Sequence, residues 1–300
     1  MFGSYRGQRS ASIGNSGGAA AAAVAVAQIP LHSSMLEVEF AQLSDNGMVR
    51  PHNEDYLGHV LAASPEQARS HGWLFALADG VGGAQQGEVA SKTAIESLVK
   101  GFREAAKGEP LTSLLQRLVR NANAHVFEAA VAAGPAGAGM ATTLVACALR
   151  HDRAIIAHVG DSRCYLIRRG EVTVLTRDHT IANEHERLGL LTAQEAAEAD
   201  SRHVLSRSLG SNLFVNVEID DHQVFPGDVL LLCSDGLHGP VKSSEIAQIV
   251  GAGADLASAA RSLISLANEK DGGDNVSVQL IRVLSVERVG MYRGRPYRLR

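Results

Sequence analysis

The sequence predicts an α+β protein with antiparallel strands. Segments with helical periodicity alternate with segments of strand periodicity along the 300 residues. Between Met140 and Leu175, four strand-like runs follow one another across short turns, which is the pattern of an antiparallel meander. The chain is 45% hydrophobic and 20% charged, a composition that can form a large core in one or two domains.

Charge and cysteine usage narrow the class of protein. The net charge of -4 gives no general attraction to nucleic acid or to anionic membranes, and no apolar stretch approaches the ~18 residues of a spanning helix. Cys147, Cys164 and Cys233 each lie in an apolar, strand-like run, which favours buried thiols in a reducing compartment. We therefore expect a cytoplasmic protein with neither nucleic-acid nor membrane partners.

The two ends of the chain differ from its middle. Residues 1–34 are rich in Gly, Ser and Ala, and we expect a disordered leader. Arg6 and Arg9 precede an Ala/Val segment, but that segment lacks the Leu and Phe of a signal peptide. The folded body is expected at 35–286. Residues 287–300 form a basic tail that we expect to be solvated and disordered.

The most informative stretch is the apolar run 73–78, which ends in Asp79-Gly80. Its length and composition predict a buried strand. Asp-Gly after an apolar run usually indicates a hairpin turn, but here a helical pattern starts at Glu88. We therefore place Asp79 at an open strand-to-helix junction.

The same arrangement recurs twice. The apolar strand 229–233 leads to Asp235 and a glycine, followed by a loop, and Asp274 comes just before the strand 276–281. Carboxylates at strand ends supply oxygen ligands for hard cations, and the neighbouring glycines leave room for ions, water and phosphate. Because the recurrence is harder to attribute to turns than one copy, Asp79, Asp235 and Asp274 predict a divalent-cation site.

Arg50 precedes Glu54 and Asp55 by four and five residues. The ordinary interpretation of such a group is a surface salt bridge. Beside a carboxylate cluster, arginine has a second use, because its planar guanidinium holds phosphate through two hydrogen bonds.

Two further segments remain open to two interpretations each. The sequence Gly160-Asp161-Ser162 fits a plain hairpin loop as well as a functional one. Residues 178–212, which we call the flap, are polar, with one helical piece near 193–199. A segment of this length without an apolar face is either a mobile cover over a site or a surface excursion.

The absence of several common catalytic motifs restricts the possible reaction mechanisms. The sequence contains no Gly-x-Ser-x-Gly elbow, no P-loop and no reactive-cysteine motif. What remains is carboxylate-bound divalent metal, since two ions ~3.5–4 Å apart can activate a shared water and clamp the oxygens of a displacement at phosphorus. All-oxygen ligands suit magnesium or manganese. The sequence therefore predicts phosphomonoester hydrolysis.

Six short motifs occur in order along the chain. They are Arg50-x-x-x-Glu54-Asp55, Ala78-Asp79-Gly80-x-Gly82-Gly83, Ala141-Thr142-Thr143-Leu144, Val159-Gly160-Asp161-Ser162-Arg163, Ser234-Asp235-Gly236-Leu237 and Gly273-Asp274-Asn275-Val276-Ser277. Together they closely resemble the motif series of the metal-dependent PP2C-type (PPM) protein serine/threonine phosphatases in their bacterial form. The resemblance extends over about residues 36–284.

The resemblance implies a four-layer αββα sandwich, with two antiparallel sheets face to face, helices outside, and metals at one end between the sheets. It implies two Mn or Mg ions. By analogy, Asp79 bridges both ions, the Gly80 carbonyl helps to bind the first, and Glu54 reaches it through water. Asp235 and Asp274 would hold the second ion.

The remaining roles also follow from the resemblance. Asp55 would orient the attacking water, Arg50 would bind the substrate phosphate, and Asp161 matches a residue that helps to hold a weaker third ion. Two positions depart from the pattern. Val81 stands where many eukaryotic members carry a histidine proposed as general acid, and Gly239 replaces an acidic residue used near the third ion.

The implied function is hydrolysis of phosphoserine and phosphothreonine on proteins, opposing bacterial serine/threonine kinases. Two alternatives stay open at this point. One is a phosphoprotein-binding module without turnover, which the retained Asp79, Asp235 and Asp274 disfavour. The other is a phosphatase dedicated to one regulator or to a secretion-system scaffold.

Overall fold

The computed structural model describes residues 35–81, 85–253, 255–292 and 295–298, so the expected leader at 1–34 lies outside the described residues. The strands are β1 Glu37–Asp45, β2 Asp55–Val60, β3 Trp73–Val81, β4 Ala141–Thr142, β5 Leu144–Arg150, β6 Arg153–Val159, β7 Arg163–Arg168, β8 Glu171–Val174, β9 Glu218–Gln223, β10 Val229–Cys233, β11 Val276–Ser285, β12 Val289–Tyr292 and β13 Arg295–Arg298. The helices are α1 Pro65–Ser70, α2 Gln85–Arg103, α3 Leu111–Ala132, α4 Ile181–Arg187, α5 Ala193–Glu198, α6 Asp235–His238, α7 Ser243–Gly251 and α8 Leu256–Lys270.

Two antiparallel sheets form the centre of the molecule. One has the strand order β1-β11-β10-β7-β8, and the other has the order β2-β3-β5-β6-β9 with β4 paired to β3. Apolar side chains from both sheets share one buried cluster between them, where the rings of Phe40 and Phe75 lie 5.2 Å apart. The sheets therefore pack face to face.

Helices cover both outer faces. Along β3, Phe75 and Leu77 point between the sheets, whereas Leu74 and Ala76 pack against α2 and α3, as the two-residue period of a strand requires. Helices α7 and α8 cover the other sheet. A strand buried on both faces reads as one continuous apolar run, which explains the composition of 73–78. The four-layer αββα sandwich is confirmed.

The predicted meander is wrong at one point. Strand β6 lies in one sheet and β7 in the other, so residues 160–162 cross between the sheets and do not form a hairpin. Gly160 has φ +106°, and a Cβ there would collide with the side chain of Thr143. Glycine is needed at this crossover, which places Asp161 at one end of the sandwich, between the sheets.

Other elements also differ from expectation. The residues after β10, predicted as a loop, form the short helix α6. Within the basic tail, β12 pairs with β13 in an antiparallel hairpin, where we expected disorder. Asp255 caps α8, because its carboxylate accepts a hydrogen bond from the Ser258 backbone N–H. Among the described residues, none of the helices combines the length and the apolar character that a membrane crossing needs.

Candidate metal centre

Two carboxylates lie opposite each other where β2 and β3 approach the end of the sandwich. Asp55 and Asp79 are register partners in the antiparallel pair. Asp55 is 5% exposed, and its burial raises its pKa to about 7. Burial, followed by the negative charge of Asp55, raises the pKa of Asp79 well above its usual range. Carboxylates in this arrangement share protons or attract cations.

The other predicted ligands act on the same group. The charges of Asp235, Asp161 and Asp274 also raise the pKa of Asp79. Burial and the charge of Asp274 raise the pKa of Asp235, while a hydrogen bond with Asp79 opposes that rise. Such interactions weaken with distance. Their presence therefore shows that these carboxylates, although far apart in the sequence, lie together in one cluster.

The two oxygens of Asp55 have different surroundings. Oδ2 accepts a 2.9 Å hydrogen bond from Ser234 Oγ, which in turn accepts one from the Ser277 backbone N–H at 3.0 Å. Oδ1 is buried and has no hydrogen-bond partner within the described part of the chain. One oxygen is thus fixed by the protein and the other is available to a water or an ion.

Glu54 lies against Gly80 on β3 and Gly87 in the first turn of α2. Its backbone carbonyl accepts hydrogen bonds from Gly80 N–H at 3.1 Å and from Ser91 Oγ at 2.6 Å. A Cβ at Gly87 would collide with Glu54 Oε2, so glycine there permits the close approach of the carboxylate. Burial raises the pKa of Glu54, and the Arg50 charge opposes that rise.

Asn275 connects the loops that carry these groups, although the sequence assigned it no role. Its side-chain oxygen accepts from Glu54 N–H at 2.8 Å. Its amide nitrogen donates to the carbonyls of Asn46 at 3.0 Å and His52 at 2.9 Å, and its own N–H donates to Asp274 Oδ1 at 2.8 Å. This residue therefore holds the β1–β2 loop against the start of β11.

A pair of threonines fixes the backbone of Asp79. Thr142 Oγ1 and Thr143 N–H both donate to the Asp79 carbonyl at 2.8 Å, and Thr143 Oγ1 accepts from Asp79 N–H at 3.0 Å. Both threonines are at most 1% exposed. The sequence signal was two hydroxyl residues interrupting an apolar run, which is interpretable only once their partner is known.

Arg50 lies at the rim of the cluster. Its Nη2 is 2.8 Å from Asp274 Oδ2, and the two side chains are 49% and 40% exposed. The charge of Asp274, followed by those of Glu54 and Asp235, raises the pKa of Arg50. Arg50 thus forms a surface ion pair, but with the distant Asp274 and not with the neighbouring carboxylates that the sequence suggested. Its use in binding phosphate stays a prediction.

Asp161 lies deeper, at the crossover. It is 8% exposed, and burial together with the charge of Asp235 raises its pKa to about 7. Its backbone carbonyl accepts a 3.0 Å hydrogen bond from His238 Nε2. Val81 is 41% exposed at the end of β3, and Gly239 follows α6; neither carries a group that titrates.

The donor set fits divalent metal ions. The carboxylates, including the unpartnered Asp55 Oδ1, and the Gly80 carbonyl are all oxygen donors, which Mg²⁺ and Mn²⁺ prefer. Burial, followed by mutual repulsion, raises the pKa values of Asp79 and Asp235, and bound cations would relieve that repulsion.

The fold and this acidic centre define a metal-dependent phosphatase of the αββα type. A family model described as "Protein phosphatase 2C" matches residues 51–284. The chain belongs to the protein phosphatase 2C family.

Relatives agree with this assignment. The serine/threonine phosphatase stp of Listeria innocua is 33% identical over 255 residues, which cover 84% of this chain and 96% of that protein. The crystal structure of the Mycobacterium tuberculosis serine/threonine phosphatase PstP/Ppp has a TM-score of 0.72 at 35% identity and covers 84% of this chain and 100% of that one. A structure of the PstP catalytic domain with two manganese ions has a TM-score of 0.71, with the same identity and coverage. The chain is a serine/threonine protein phosphatase of a manganese-dependent hydrolase family.

Proposed function

We propose that this phosphatase removes phosphate from phosphoserine and phosphothreonine side chains placed on proteins by a bacterial serine/threonine kinase. The proposal depends most on the environment of Asp79, whose pKa is raised by burial and by the charges of four other carboxylates. Uncompensated charge of this density is costly in a partly buried site unless cations balance it. A carboxylate cluster of this kind with cations bound suits an anionic phosphate ester.

In this proposal, Asp79, the Gly80 carbonyl, Glu54, Asp235 and Asp274 would hold two metal ions. When bound, the two ions supply Lewis-acid activation of water and neutralise phosphate charge. Support comes from the all-oxygen donors and from their pKa values, which burial and then the neighbouring carboxylates raise.

Asp55 and Arg50 act on the reactants. Asp55 Oδ1 accepts a proton from the attacking water and orients it, while Ser234 keeps the carboxylate from rotating. Arg50 binds the substrate phosphate. A half-exposed ion pair is worth roughly 0–1 kcal/mol, so Arg50 can exchange Asp274 for phosphate at little cost. Since Val81 has no proton to give, we assign protonation of the leaving alkoxide to solvent water.

The catalytic body is proposed at residues 35–286, with the flap at 178–212 and Asp161 at a weaker third ion. Free, buried Cys147, Cys164 and Cys233 support a reducing, cytoplasmic setting.

Phosphate release from peptides tests this function. We expect the purified protein with Mn²⁺ to release phosphate from phosphoserine and phosphothreonine peptides, faster than from a phosphotyrosine peptide of the same sequence. Asp235→Ala should abolish release while circular dichroism shows a folded protein. Failure to release phosphate with any divalent ion, together with retained binding of the phosphopeptides, would instead support a non-catalytic binding module.

A further inference from the structure

A second polar cluster is buried where the flap leaves the sandwich. It consists of His158, His179, Arg207 and Glu218, and we call it the His179 cluster. One donor atom each of His158, His179 and Glu218 lies within 4.8 Å of the others. His179 is 0% exposed and His158 is 1% exposed. The dephosphorylation roles proposed above use none of these residues.

His179 holds Gly160 from two directions. Gly160 N–H donates to His179 Nδ1 at 3.1 Å, and His179 N–H donates to the Gly160 carbonyl at 2.9 Å. The His179 carbonyl accepts from Ser206 N–H at 2.8 Å. Because Ser206 lies near the end of the flap and His179 near its beginning, one residue joins both ends of the flap to the crossover that carries Asp161.

The hydrogen bonds specify the protonation of the ring. Since Nδ1 accepts from Gly160 N–H, the proton of the neutral imidazole lies on Nε2, which donates to Glu218 Oε2 at 3.0 Å. Arg207 Nη1 lies 3.3 Å from the same Nε2, and because arginine can only donate, it is a charged neighbour of the protonated nitrogen and not its hydrogen-bond partner. Burial lowers the pKa of His179 to about 4, so this neutral form persists at neutral pH. Glu218 also pairs with Arg177 at 3.2 Å, and Arg207 pairs with Glu184 on α4 at 2.8 Å.

The same geometry argues against a metal ion in this cluster. The rings of His158 and His179 are stacked, with centroids 4.7 Å apart and planes 15° from parallel. Their in-plane lone pairs therefore cannot converge on one ion at the ~2 Å of a metal–nitrogen bond. In addition, a His179 ring that accepts from Gly160 has no lone pair left at Nε2. The cluster is a hydrogen-bond network.

Asp161 is held from its other side as well. Arg163, two residues beyond it, donates from Nε and Nη2 to the two oxygens of Asp178 at 2.8 and 2.6 Å. Asp178 is the first residue of the flap. The base of the flap thus fixes the crossover both before and after Asp161, through His179 and Asp178.

We propose that His179 is a positioning residue for the dephosphorylation site. By clamping the Gly160 peptide it sets the place of Asp161 in the metal centre, and it couples that place to the docking of the flap. This inference deepens the proposed function and depends on the cation-binding role given there to Asp161.

Two substitutions separate the two contacts of the ring. His179→Asn keeps an acceptor near the position of Nδ1 for Gly160 N–H, whereas His179→Gln reaches Glu218 but leaves Gly160 N–H without its partner. The readouts are Mn²⁺ binding, followed by electron paramagnetic resonance of the free ion, and backbone amide exchange at Gly160 and across the flap.

We expect His179→Gln to lower the Mn²⁺ affinity of the weakest binding step roughly tenfold, which is the usual loss when a residue that supports a metal ligand is replaced. Amide exchange at Gly160 and in the flap should become faster, while the tighter Mn²⁺ sites stay unchanged. His179→Asn should stay within about threefold of the wild type, because the contact with Gly160 survives. If His179→Gln does not fold, Glu218→Ala, which removes the acceptor of the Nε2 proton, should move the same readouts in the same direction.

Several results would overturn the inference. One is that the Asn and Gln substitutions have equal effects. Another is that amide exchange at Gly160 is unchanged in the Gln variant. A third is that both variants bind one Mn²⁺ ion fewer than the wild type. Asp161→Ala separates the cation-binding role of Asp161 from the contact between His179 and Gly160. If this variant binds as many Mn²⁺ ions as the wild type, the cation role of Asp161 fails, whereas faster exchange at Gly160 and in the flap of His179→Gln would still support the clamp.

Discussion

Asp55 and Asp79 face each other across β2 and β3 as direct register partners. Like charges in this arrangement destabilise a strand pair. The surrounding structure nevertheless fixes both residues, with Ser234 on the side chain of Asp55 and two buried threonines on the backbone of Asp79. A local conflict that the rest of the fold supports in this way is typical of a functional site.

Neutralising this pair should separate activity from stability. We expect Asp79→Asn to lower Mn²⁺-dependent phosphate release more than about a hundredfold. Even the loss of a residue that only supports a metal ligand lowers metal affinity or activity about 10–100-fold. The metal-free variant should be more stable than the metal-free wild type at pH 7.5, since the like-charge repulsion is gone. Phosphopeptide kinetics and urea unfolding after chelation measure the two effects.

The matched control is Asp255→Asn. Asp255 is an exposed N-cap of α8 whose carboxylate accepts from Ser258 N–H, and asparagine caps helices about as well as aspartate. Activity and stability should both stay near the wild-type values. Loss of stability in metal-free Asp79→Asn would contradict the role of repulsion, and retained activity would remove Asp79 from the metal centre.

The pH dependence of the metal-free protein has a definite sign. Burial raises the pKa values of Asp55 and Asp161 to about 7, whereas an unfolded aspartate titrates near pH 3.9. The folded state therefore binds more protons, and the free energy of unfolding falls as pH rises from about 4 to about 7. This contribution is fully present below about pH 4 and is lost as pH rises through about 7.

Thermal unfolding of chelator-treated protein between pH 4.5 and 8 measures this loss. We expect Tm to fall by several degrees with rising pH, and added Mn²⁺ to raise Tm far more at pH 8 than at pH 5. Asp79→Asn should show a shallower fall because one of the coupled carboxyls is missing. A flat or rising Tm for the metal-free wild type would be inconsistent with a protonated cluster.

The sequence indicates the proposed ligands more clearly than their surroundings. Asp79, Asp235 and Asp274 were recognisable because each one adjoins an apolar run and a glycine, which is a local signal. The pairing of Asp55 with Asp79 depends on strand register, and register is a relation between strands that neither one specifies alone. Asn275 belongs to one of the six motifs, but its structural role depends on contacts with residues more than 220 positions away in the sequence.

The crossover at 160–162 shows why one element was misassigned. Three residues between two short strands fit a hairpin, and nothing in the local pattern distinguishes that turn from a step between two stacked sheets. The difference lies in the partners: β6 pairs with β5 and β9, whereas β7 pairs with β10 and β8. The positions of Asp161 and of the His179 cluster both depend on this step, so sequence periodicity alone could not find them.

Arg50 should contribute to substrate binding more than to turnover. We expect Arg50→Ala to raise KM for a phosphopeptide about tenfold or more with a smaller change in kcat, because a bidentate charged contact to phosphate is lost. Arg50→Lys should lie in between, since it keeps the charge without the planar fork. Arg117→Ala, on α3, removes an arginine that pairs only with the nearby Glu109 among the described residues and serves as the control. An unchanged KM in Arg50→Ala would remove the phosphate role.

Asn275 should stabilise the loops that carry the metal ligands. Asn275→Ala removes three hydrogen bonds, to Glu54 N–H and to the carbonyls of Asn46 and His52. At about 1 kcal/mol each, we expect the free energy of unfolding to fall by about 3 kcal/mol in urea titrations. Mn²⁺ affinity should fall as well, because Glu54 loses the contact that holds its backbone.

Asn268→Ala is the matched comparison for Asn275→Ala. Among the residues that the structure describes, the Asn268 amide donates one hydrogen bond of 3.0 Å, to Asp45 Oδ1, and none to the proposed ligands. We expect a loss of about 1 kcal/mol with unchanged Mn²⁺ affinity. If both variants lose the same stability and bind Mn²⁺ equally well, Asn275 is an ordinary loop contact, and the position of Glu54 must depend on Ser91 and Gly80 instead.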